Sequence, residues 1–194
     1  MIFTQLAFIP VILIMASSLA LLLSQNWRQM IVALSVQYLA VFWLLSLVLP
    51  LGLAAVKLVV GWMAGAVLAA SQPSDETFGP QGMLSNNMFR LLSAGMVWLL
   101  MFSLATNLDN WLPIRDVLAQ GGLLLVGMGL LHLGMTTRPF RMVVGLLTVL
   151  SGFEILYATV ETSVLVAGLL VFVNLGLALT GAYLIASPAF KEDD

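Results

Sequence analysis

Seven long apolar stretches divide this chain, and they leave it few folds to choose from. They run over residues 6–23, 30–49, 51–70, 88–106, 117–135, 142–159 and 163–185. A helical crossing of a bilayer takes about 20 apolar residues. Inside the hydrocarbon, backbone N–H and C=O groups must find partners within the helix or around a closed barrel. Stretches of this length satisfy that requirement as helices. Composition agrees: 61% of the 194 residues are hydrophobic and 8% are charged, with a mean hydropathy of +1.09. A soluble domain carries about 25% charged residues. The predicted fold class is therefore all-α: a polytopic membrane helical bundle of about seven transmembrane helices.

Punctuation between the stretches fits this division. Pro50 and Gly52 mark a tight turn between the second and third. Residues 71–87, with two prolines and two glycines, form the longest loop. Pro113 and Pro139 precede the fifth and sixth spans, and Pro188 follows the last. A faint internal echo is also present. Trp27-Arg28-Gln29-Met30-Ile31-Val32-Ala33-Leu34 resembles Phe140-Arg141-Met142-Val143-Val144-Gly145-Leu146 once one residue is skipped. Two parallel three-helix units, residues 1–71 and 117–194, would then be joined by a loop, a linking helix and a second loop over 72–116. Chance likeness between apolar helices is the competing explanation.

Basic residues set the expected orientation. Arg28, Arg90, Arg138, Arg141 and Lys191 fall on one side of the membrane and Arg115 alone on the other. Positive residues beside short loops stay in the cytoplasm. This predicts an external amino terminus and a cytoplasmic Lys-Glu-Asp-Asp tail. The first apolar stretch lacks the positive leader of a cleaved signal and reads as a retained helix.

Several function classes are excluded. With no cysteine, thiolate metal sites and thiol chemistry are impossible, and the single histidine, His132, cannot hold zinc alone. No nucleotide loop, haem-ligand pair or nucleophile with its base is present, so neither cofactor nor metal is expected. A net charge of −2 with no basic run gives no reason to expect nucleic acid as a partner. Nor does an isolated enzyme fit, because no constellation of catalytic groups is visible.

What remains is a sparse set of polar groups at membrane depth: Lys57, Glu154, Asn174, His132 and Gln37. A charge at that depth costs several kcal/mol on insertion scales and calls for a protein or water partner. Lys57 shares a helical face with Gly61 and Gly65, whose small size lets another helix approach. That face points Lys57 into protein. Its long stem also permits snorkelling to the interface. Glu154 is its partner, a separate relay point, or a structural partner for a neighbouring subunit's cation. Asn174 and Gln37 suit interhelical hydrogen bonds. His132 suits either a titrating site or a cap at the end of its helix. Trp27, Trp111 and Tyr38 read as ordinary aromatic placements. Taken as a path, Lys57, Glu154, His132, Asn174 and Gln37 are candidates for proton or ion conduction.

The stretch Gly129-Leu-Leu-His132-Leu-Gly-Met-Thr-Thr-Arg138-Pro-Phe-Arg141-Met-Val-Val-Gly145 resembles subunit K of NADH-quinone oxidoreductase. Leu53-Ala-Ala-Val-Lys57-Leu-Val-Val-Gly61-Trp-Met-Ala-Gly65-Ala-Val-Leu68 resembles subunit J of the same complex. The combination is similar to hydrogenase-4 component E, over roughly residues 20–71 and 122–185. The resemblance implies a non-redox membrane-arm subunit of a bacterial or archaeal cytoplasmic membrane, packed beside antiporter-like subunits and helping conduct protons. Residues 1–71 would be the J-like unit and 117–194 the K-like unit.

The chain departs from the pattern at its acids. Leu146 and Leu147 follow Gly145 where subunit K relatives place a glutamate, and the nearest acid is Glu154. Component E relatives carry an acid nearer Leu150, before a polar-glycine pair that Ser151-Gly152 resembles. Asn174 stands for the acid of the last helix, or that acid is lost. Two rival classes stand beside this expectation: a self-contained small proton or cation transporter, and a structural membrane scaffold.

Overall fold

The computed structural model describes residues 8–72, 87–108, 116–161 and 163–187. Among them the regular elements are seven helices. These are α1 (Phe8–Leu23), α2 (Trp27–Leu45), α3 (Leu51–Ala70), α4 (Asn87–Leu108), α5 (Asp116–Gly134), α6 (Pro139–Val160) and α7 (Val164–Ala186). Helices α2 to α7 are long and apolar enough to cross a membrane, while α1, with 16 residues, is shorter. The chain is a polytopic helical membrane bundle. Most of the 71–87 loop, Trp111, Pro113, Arg115, Pro188, Lys191 and the acidic tail lie outside the described residues.

Helix ends differ from the hydropathy reading where capping chemistry decides them. Helix α2 begins at Trp27, not Met30, because Asn26 is extended and its side chain accepts the Arg28 N–H at 3.1 Å. An N-cap of this kind satisfies a backbone donor that the helix cannot. Helix α2 ends at Leu45, and Ser46 to Leu49 form turns leading to Pro50, which caps α3. Helix α6 starts at Pro139, a position where proline's missing N–H is no loss.

Helices α1, α2 and α3 are successive neighbours, as are α5, α6 and α7. Across the bundle α1 meets α5, α2 meets α6, and α3 meets α7, while α4 lies against α5 and α1. The most extensive interface joins α5 to α6 and is built on glycine. A β-carbon on Gly152 would lie 2.6 Å from Gly122 O and 2.7 Å from Val126 N. One on Gly129 would lie 2.8 Å from Val149 N. These two backbones touch.

Two apolar layers fill the interior. One contains Met30, Leu34, Phe140, Val144 and Leu147. The other contains Ile14, Val41, Leu44, Leu125 and Ile155. Arg90 and Arg141 fix the end nearer the first layer. Arg90 Nη1 donates to Leu22 O at 3.0 Å and Arg141 Nη2 to Ser24 O at 2.6 Å. Both guanidinium groups thus cap the carbonyl end of α1, where a helix dipole favours cations. Arg28, at the start of α2, and Arg138, before α6, belong to this same arginine end.

Candidate functional site

Lys57 lies six residues into α3 and Glu154 six residues before the end of α6. At 1.5 Å per residue each is about 9 Å from the helix ends opposite the arginines. Lys57 Nζ donates to Glu154 Oε1 at 2.6 Å, with the two side chains 6% and 3% exposed. Snorkelling therefore does not describe Lys57, whose ammonium is spent on a partner inside the bundle.

Glu154 Oε1 also accepts from Asn174 Nδ2 at 2.9 Å, and Asn174 Oδ1 accepts from the Tyr38 hydroxyl at 3.1 Å. The order Lys57, Glu154, Asn174, Tyr38 links α3, α6, α7 and α2 in a continuous buried network. Asn174 is fixed as an amide that donates to the acid and accepts from the phenol, using both ends of its side chain. Removing two ions from water costs several kcal/mol each, offset only when their remaining donors and acceptors are satisfied. Asn174 supplies part of that compensation.

Two sequence readings need correction. Tyr38 is no interfacial aromatic: it is 2% exposed and takes part in the network. Its position far from both ends of α2 was the available signal, since belt aromatics belong near the headgroups. Of the two glycines sharing the Lys57 face, only Gly61 admits a close neighbour. The Tyr38 ring occupies the place of its absent side chain, whereas nothing lies within 4 Å of a β-carbon on Gly65.

Gln37 and His132 are buried outside the network. Gln37 Nε2 donates to Thr148 Oγ1 at 3.2 Å, and the Thr148 hydroxyl in turn donates to Val144 O. This is a second polar link between α2 and α6, toward the arginine end. His132 occupies the last turn of α5, and neither ring nitrogen has a hydrogen-bond partner. The helix-end cap expected of it does not form. Its place in that last turn puts it at the arginine end, outside the Lys57 network.

A small cavity touches the ion pair on the side away from the arginines. Lys57, Glu154, Tyr157, Glu161, Ser163 and Ala167 help line it, and its volume measured at water centres is about 20 Å³. A site needs roughly 10–15 Å³ on that measure to hold one water. Among the described residues no three His, Cys, Asp or Glu side chains gather in a way that would hold a metal. Compared with protein-family models, curated proteins and solved structures, the chain matches none.

Proposed function

We propose that this chain is a non-redox membrane subunit of a complex I-like, hydrogenase-like or antiporter-like assembly, and that it contributes to proton or sodium translocation. The observation that carries the reading is the buried Lys57–Glu154 pair. Ionisable residues inside membrane segments are costly and mark ion or proton routes. Lys57 and Asn174 both donate to Glu154 Oε1 and hold that oxygen in place. A proton reaching Glu154 neutralises it and releases its hold on the ammonium. That is a charge signal a neighbouring subunit can receive.

The resemblance to hydrogenase-4 component E supports the same reading, and any redox chemistry then sits on other polypeptides. Helices α4 and α7 are only 17% buried over their apolar windows, against 61% for α5. Their outer faces are available to lipid or to antiporter-like partners. The arginine end faces the cytoplasm, by the retention of positive residues there, and the amino terminus is outside.

Purification in a mild detergent tests the assignment. A large antiporter-like subunit should accompany the chain, and a stable monomer without one would contradict it. A scaffold role has one observation in its favour: the polar bonds Lys57–Glu154, Tyr38–Asn174 and Gln37–Thr148 all join α2 or α3 to α6 or α7. That role requires assembly to fail whenever pumping fails.

A further inference from the structure

Lys57 and Asn174 both address Glu154 Oε1, which leaves Oε2 for another donor. Lys57 Nζ has three N–H groups, one of which Glu154 takes. Both spare capacities belong to side chains that line the same small cavity. Along α6 the cavity runs from Glu154 to Glu161, seven residues and therefore about 10 Å further on. Glu161 is exposed at the helix end. Tyr157 and Ser163 also line the cavity. A pocket with room for one water and several polar partners meets the conditions for a buried structural water.

The other direction is tightly packed. Beyond Asn174 and Tyr38, toward the arginine end, lie Leu34, Phe140, Val144 and Leu147, each no more than 2% exposed. The Tyr38 ring fills the cleft left by Gly61.

We propose that the Lys57–Glu154 pair exchanges protons with one aqueous phase only. The route is the small water-sized cavity that Glu154 and Glu161 both line, with Glu161 as the acidic group at its mouth. This rests on the pair being a charge-handling site. It adds a direction to that reading and a residue that sequence reasoning did not single out.

The chain's lack of cysteine makes the test specific. Single cysteines are placed at Ala158 in the cavity wall, at Ser163 at its mouth, at Gln29 at the arginine end and at Ala64 in the sealed core. Vesicles holding the full chain in its assembly receive silver ion on one side in chloride-free buffer. Thiols that escaped are then counted with a maleimide after unfolding. Ser163→Cys and Gln29→Cys identify the two sides. Ala158→Cys should react from the Ser163 side at least about tenfold faster than from the Gln29 side, and Ala64→Cys from neither. Adding Glu161→Gln should slow the Ala158→Cys reaction about tenfold, the lower end of what an acidic cleft contributes by concentrating cations. Where Ala158→Cys does not insert, Ala167→Cys on the facing helix carries the same measurement. Reaction from the Gln29 side, equally from both, or from neither overturns the passage. Pumping by the unmodified assembly is measured separately, so a closed passage and a failure of the charge-handling role are told apart.

Discussion

The Tyr38 ring lies where a side chain on Gly61 would have to go. One missing β-carbon on α3 thus lets an aromatic side chain from α2 reach across and place its hydroxyl 3.1 Å from Asn174 Oδ1. Gly61→Ala should displace that ring and destabilise the protein by about 1–3 kcal/mol, the usual range for overpacking. In a Tyr38→Ala background the same substitution should cost much less, since contacting residues are not additive. Unfolding in detergent of the two singles and the double measures the difference.

Gly65 and Gly152 should respond in opposite senses to alanine. Nothing stands within 4 Å of a β-carbon on Gly65, so Gly65→Ala should gain up to about 1 kcal/mol of helix stability. At Gly152 the new carbon would meet the backbone of α5, which cannot rotate aside. Gly152→Ala should cost toward the upper end of about 1–3 kcal/mol. Thermal denaturation of the two variants side by side reads both signs.

The Tyr38–Asn174 bond is a neutral interhelical contact, and such bonds in membranes average about 0.6 kcal/mol with a ceiling near 1.7. Tyr38→Phe should therefore fold normally with a loss inside that range. Asn174→Leu should lose more, because it strips Glu154 of one of two donors to Oε1. Equal losses in the two variants would mean that Asn174 does not support the carboxylate.

The seven-helix layout was legible in the sequence because hydrocarbon imposes a length and a polarity on each crossing. Lys57, Glu154 and Asn174 stood out for the same reason, each an expensive group in an apolar run. That they meet was not legible. Lys57 and Glu154 are 97 positions apart, and their meeting depends on which faces α3 and α6 turn toward each other. Tyr38 escaped notice because tyrosine is cheap at a membrane surface, and only its depth in α2 hinted otherwise. Helix starts at Trp27 and Pro139 were missed because hydropathy averages over the polar residues that Asn26 and Pro139 commit to a first turn. His132 was legible as a buried group, but the lack of a hydrogen-bond partner for its ring nitrogens depends on how α5 packs against its neighbours, which no local pattern encodes.

Lys57→Met and Glu154→Gln should each be worse for stability than the two together. Removing one partner leaves a buried charge unpaired, at about 3–5 kcal/mol, whereas removing both leaves a neutral core. The double variant should regain most of the loss in a detergent unfolding experiment. Additive losses would contradict the 2.6 Å pair.

Because that double variant keeps the bundle folded, it also isolates the pair's role in charge movement. The decisive measurement is ion pumping by the whole assembly in proteoliposomes, carrying Lys57→Met together with Glu154→Gln, at matched subunit content. Pumping should collapse while assembly remains intact. Pumping at the unmodified rate would contradict the account and leave Lys57 and Glu154 as a clasp between helices.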